Sequence, residues 1–109
     1  MKSSEIKIAV GLNENNLPTE IKWSAEDGKV TDKNAAAFLL SIWDPKEKNT
    51  MKVDLWTKDM TVEEMKQFFH QSLLSMADTF EKATGENLLC EDLRDCCYHF
   101  AEKMEILPE

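Results

Sequence analysis

Apolar and polar residues alternate along the first half of the chain. Ile6, Ile8, Val10 and Leu12 fall on one side of an extended backbone, with Glu5, Lys7, Ala9 and Gly11 on the other. That period of two predicts a half-buried strand over 6–12. Residues 13–16 are a polar turn cluster, Asn-Glu-Asn-Asn. Pro18 is tolerated at a strand start. Beyond it Ile21 and Trp23 share a face, with Glu20 and Lys22 opposite. The two runs predict a first β-hairpin. Asp27-Gly28 marks a further turn. The stretch 31–43 pulls in two directions. Ala35, Ala36 and Ala37 favour helix by propensity. Phe38, Leu40 and Ile42 alternate with Leu39, Ser41 and Trp43, which favours a strand over 36–43. Asp44-Pro45 ends it in an extended or turn conformation. After a polar loop, Met51, Val53 and Leu55 alternate with Lys52, Asp54 and Trp56, predicting a second hairpin.

The period then changes to that of a helix. Thr61-Val62-Glu63-Glu64 has the form of a capping box, flanked by Met60 and Met65 at the positions of a hydrophobic staple. Met65, Phe69, Ser72, Met76, Phe80 and Ala83 make a helical stripe, and Gly85 supplies the stop. A second helix starts near Asn87. Its stripe is Leu89, Leu93, Cys97, Phe100 and Met104, and Pro108 lies beyond its end. The expected fold is a single α+β domain over 1–109. It has an antiparallel sheet of about four strands, arranged as two hairpins and covered on one face by two C-terminal helices.

Composition narrows the function. The 109 residues carry a formal net charge of -8, and the basic residues are scattered singly. Nucleic-acid binding wants a basic stripe, so no nucleic-acid partner is expected. No run approaches the roughly 18 apolar residues of a membrane span, so no direct membrane insertion is expected. The N-terminus has no apolar core of signal-peptide length. Cys90, Cys96 and Cys97 are a poor disulfide framework and point to a reducing compartment. A cytoplasmic location follows as the expectation.

Catalytic chemistry is nearly absent from the pattern. Phe69 lies on the stripe of the first helix and Phe68 borders it, so both read as core. His70 falls one step further round, without an orienting partner such as acid–base catalysis needs. An enzyme built on His70 would require Asp54 or Asp78 to converge on it. Cys96 and His99 share a helix face, but a zinc site wants four ligands in paired short spacings. No catalytic residue, cofactor or metal ligand is therefore assigned. One feature stands out. If Phe38, Leu40, Ile42, Val53 and Leu55 face the helices, then Leu39, Trp43 and Trp56 lie on the opposite face. Exposed, they would form an apolar patch of the kind that marks partner surfaces, and a homodimer could bury it. The alternative is that the tryptophans turn inward or that the 30–35 loop folds over them.

The residues also carry a family resemblance. Residues 4–8 (SEIKI), 23–25 (WSA), 40–44 (LSIWD) and above all 52–85, KVDLWTKDMTVEEMKQFFHQSLLSMADTFEKATG, resemble the gliding motility-associated protein GldC of Bacteroidetes. Asp92-Leu93-Arg94-Asp95 and Phe100-Ala101-Glu102-Lys103 match more loosely, and the cysteines lie outside the pattern. The resemblance implies an accessory role in gliding motility, a process that shares machinery with type IX secretion. It implies protein partners from that machinery and no catalytic activity or cofactor. A cytosolic chaperone or adaptor holding an apolar segment of a secretion or motor component is the alternative.

Overall fold

The computed structural model describes residues 2–105. The chain is α+β, and its described residues form five antiparallel strands in two sheets followed by two helices. It divides into two compact units, Met1–Met60 and Thr61–Glu109.

In the first unit, β1 (Ile6–Leu12), β2 (Pro18–Ala25) and β3 (Val30–Ala35) form a three-stranded antiparallel sheet in that order. The 13–17 turn is held by Asn13, whose Oδ1 accepts from the backbone N–H groups of Asn15 and Leu17. Asn16 takes a left-handed φ of 61°, which asparagine tolerates better than most residues. Ile21 on the central strand is fully buried. The second sheet is a ribbon of β4 (Ala37–Asp44) and β5 (Asn49–Trp56). Asp44 Oδ1 accepts from the N–H groups of Lys46 and Glu47, and Lys48 is left-handed at φ 53°. This four-residue connection closes the ribbon in register, Asp44 opposite Asn49.

Strand β3 is the departure from the sequence expectation of about four strands. Its residues, Val-Thr-Asp-Lys-Asn-Ala, have no alternation. An edge strand has no need of a buried face, and this one pairs irregularly. The register shifts between Trp23 and Ala25 of β2, and the Ser24 hydroxyl accepts from the Asp32 N–H. The helix propensity of the alanine run yields to this pairing. Residues 30–35 are thus a strand beside β2, not a loop over the tryptophans.

The second unit is a helical hairpin. Helix α1 (Val62–Thr84) starts with the full capping box: the Thr61 hydroxyl accepts from the Glu64 N–H, and the Glu64 carboxylate accepts from the Thr61 N–H. It stops at Gly85, left-handed at φ 72°. Helix α2 is Asn87–Lys103. Pro108 lies outside the described residues. The two helices meet along a seam of small residues. The Cys90 thiol donates to the Ala77 carbonyl at 2.9 Å, and Ala77, Cys90, Cys97 and Ala101 are buried. Arg94 clasps both Asp78 (2.7 Å) and Glu81 (3.1 Å) across the seam.

Of the expected stripes, Cys97 lies in this seam, but most of the large residues do not mark it. Phe69, Met76 and Phe80 of α1 are exposed, as are Leu89, Leu93 and Phe100 of α2, while His70 is buried. Small side chains let two helix backbones approach closely, and the sulfur–carbonyl hydrogen bond fixes that approach. Ranking positions by hydrophobicity points to the large residues instead.

Two substitutions test the ends of α1. Thr61→Ala removes an N-cap and is expected to cost about 1 kcal/mol. In Gly85→Ala an added Cβ meets nothing within 4 Å, so only the left-handed backbone resists it. Its expected cost is about 1–2 kcal/mol. Chemical denaturation checks both, and unchanged stability would misplace the helix boundaries.

Candidate functional site

The ribbon is where the side chains of interest converge. Two backbone hydrogen bonds fix its base. The Thr57 N–H donates to the Ala36 carbonyl at 2.8 Å, and the Lys58 N–H donates to the Pro18 carbonyl at 3.0 Å. Successive N–H groups of a strand point to opposite sides. The Thr57 bond therefore sets the direction of every other group in β5, which pairs with β4 without a register shift.

The register also assigns the faces, because directly paired residues share one. Phe38, Leu40 and Ile42 sit opposite Leu55, Val53 and Met51 on the first face. Ala37, Leu39, Ser41 and Trp43 sit opposite Trp56, Asp54, Lys52 and Thr50 on the second. Leu39, Trp43 and Trp56 thus share that face, Trp56 at the base of the ribbon and Trp43 near its tip, with fractional exposures of 38% for Leu39, 61% for Trp43 and 55% for Trp56. Lys52 and Asp54 stand between the tryptophans, paired at 3.4 Å. The first face, expected to be the inward one, is half-buried at Phe38 and Leu55 and exposed at Leu40, Ile42, Met51 and Val53. Sequence reasoning named Met51 in the alternation but did not single it out. Its place opposite Ile42 near the ribbon tip follows from the register, which alternation alone leaves open.

His70, Asp78 and the cysteines lie in the helical unit. His70 is buried on α1, and its Nδ1 has no hydrogen-bond partner among the described residues. Within the helical unit Asp78 is engaged by Arg94, so it is not an orienting acid for a base. Hydrogen bonds to Asp78 and then to Glu81 push the Arg94 guanidinium pKa further up. Cys96 is exposed, while Cys90 and Cys97 are buried. Burial, and then the neighbouring Cys96, push the Cys97 thiol up. No cluster of three or more metal-ligating side chains occurs among the described residues. No helix among them is long and apolar enough to cross a membrane.

With the ribbon and its faces placed, the chain can be compared with known proteins. A family model described as "Gliding motility-associated protein GldC-like" matches residues 18–106. The chain belongs to the GldC-like family. The match runs from β2 past the end of α2, so both ribbon strands and both helices lie within it. The GldC-like family is associated with gliding motility and is not a known enzyme family. Neither a curated protein nor a solved structure matches the chain.

The cysteines give a direct check on the helical seam. Cys96 is expected to react first with iodoacetamide near neutral pH, as the exposed thiol. Cys90 and Cys97, buried in the seam, are expected to react only as the helices open, and therefore later than Cys96. Peptide mass mapping over time reads this order. Equal rates for all three would contradict the seam.

Proposed function

We propose that this chain is an accessory, non-enzymatic interaction protein of gliding motility, acting from the cytoplasmic side. It is linked to the gliding and type IX secretion machinery through a protein partner. The partner docks on the ribbon face carrying Leu39, Trp43 and Trp56. The observation behind this reading is the shared register of these residues together with their exposure. Tryptophan is over-represented among the residues that dominate interface energetics, and apolar patches rimmed by polar groups mark partner surfaces. Lys52 and Asp54 supply charges of both signs within the patch, which orient a partner more than they add affinity.

The second reading is a chaperone or adaptor that holds an apolar segment. It draws on the opposite face, where Leu40, Ile42, Met51 and Val53 are exposed. A flexible thioether suits varied clients.

A photo-crosslinking residue at Trp43 in gliding cells separates the two. One dominant adduct is expected for a dedicated partner, whereas a broad ladder favours the holding function. The paired motility experiment uses Trp43→Ser with Trp56→Ser, expected to lose complementation while folding normally. His70→Ala is expected to complement, with only a modest change in stability. Motility lost in His70→Ala at normal expression and fold would overturn the non-enzymatic reading.

A further inference from the structure

Strand β5 has an outer edge that pairs with no other strand among the described residues. The Thr57 N–H points to β4 and the Lys58 N–H points away from it, to Pro18. Counting back along β5, the backbone groups of Val53 and Leu55 are spent on β4. Those of Thr50, Lys52, Asp54 and Trp56 point to the open edge. The residues that would make a new ladder are therefore the ones bearing the two charges of the strand.

We propose that β5 pairs antiparallel with β5 of a second copy, about a two-fold axis at Val53, joining two ribbons into one four-stranded sheet. Charge selects both the occupant and the register. With Val53 opposite Val53 of the second copy, Lys52 lies opposite Asp54 of that copy, and Asp54 opposite its Lys52. Opposite charges placed directly across a strand pair stabilise it, and like charges destabilise it. A shift to the next ladder-compatible register puts Lys52 on Lys52 in one direction and Asp54 on Asp54 in the other. Registers between these would set outward-pointing backbone groups against groups already used by β4. One arrangement alone satisfies both charges and the ladder.

The same register extends the flanking residues. Thr50 faces Trp56 of the second copy, so Trp43, Thr50 and that Trp56 form one row across the new sheet. On the opposite face, Met51 meets Leu55 of the second copy and Val53 meets its own counterpart. Each Lys52 then has two acidic neighbours: Asp54 of its own strand, already 3.4 Å away, and Asp54 across the axis. The contact is isologous and closes at two copies, as symmetric dimers do. It also answers the hazard of an open edge, which a chain must blunt, cover or pair. The β4 edge carries no charge between Ala37 and Trp43, so it has no comparable means of selecting a register. The tryptophan face is left free in this dimer, where pairing through the patch itself would cover it.

The test uses the full chain with Lys52→Asp and Asp54→Lys made separately. Sedimentation velocity at moderate salt is expected to show a dimer for the wild type at high micromolar concentration. Each single variant puts like charges across the axis and is expected to dimerise about tenfold or more weakly. Mixing the two variants restores both attractions, so a one-to-one heterodimer is expected, resolved by native mass spectrometry with one variant isotopically labelled. No salt bridge within one chain produces that rescue. Trp43→Ser is expected to dimerise like the wild type. A monomeric wild type overturns the proposal, as does a mixture that stays monomeric. Single variants that pair as well as the wild type overturn it too. Loss of the dimer in Trp43→Ser with retention in both charge variants would move the contact to the tryptophan face.

Discussion

The β unit depends on one corner, where the N–H groups of Thr57 and Lys58 reach in opposite directions to the carbonyls of Ala36 and Pro18. Strand β3 leaves β2 at Ala35, and Lys58, two residues past the end of β5, bonds to the start of β2. The Thr57 bond closes the ribbon and the Lys58 bond ties it to the three-stranded sheet. Thr57, at the centre of this corner, is buried. A buried backbone group left unpaired costs about as much as a lost hydrogen bond. Slipping β5 by one residue would forfeit both bonds and turn each of its side chains to the other face. The corner therefore fixes which face holds the tryptophans and which backbone groups reach the open edge.

The helical unit is settled by a different constraint, close approach through small side chains. Ala77 accepts the Cys90 thiol, and Arg94 bridges two carboxylates on the facing helix. Seen this way the buried cysteines have a packing role, as free cysteines commonly do. Phe69, Met76 and Phe80 of α1 and Leu88, Leu89 and Phe100 of α2 are exposed. The chain thus carries exposed apolar surface on its ribbon and on its helices, within a protein of net charge -8.

Much of this was legible in the sequence because it is local. The capping box of Thr61 and Glu64, the stop at Gly85 and the strands over Ile6–Leu12 and Asn49–Trp56 are each set by residues a few positions apart. The second hairpin could be read because its two apolar runs match in phase around a polar loop. Strand β3 could not be, because its order comes from β2 and from the Ser24 hydroxyl rather than from any pattern of its own. The helix seam was hidden for a related reason: Ala77 and Cys90 are 13 residues apart, and what pairs them is their small size. Leu39, Trp43 and Trp56 were identifiable as one face from alternation. The ladder direction was not, since it rests on the bonds of Thr57 and Lys58 to distant partners. Gliding association came from the likeness of whole segments, which no single residue carries.

Membership of the GldC-like family associates the chain with gliding motility, and the ribbon is the surface proposed to take part in it. One face gathers the tryptophans, and one edge bears a self-complementary pair of charges. Both properties rest on the alternation of backbone direction along β5. Amide hydrogen exchange, resolved by residue in NMR at two protein concentrations, reads that alternation directly. At low concentration the N–H groups of Met51, Val53, Leu55 and Thr57 should be protected, with those of Lys52 and Asp54 exchanging fast. At high concentration Lys52 and Asp54 should gain protection. Protection of Lys52 and Asp54 at every dilution, with Val53 and Leu55 exchanging fast, would contradict the strand direction on which the account stands.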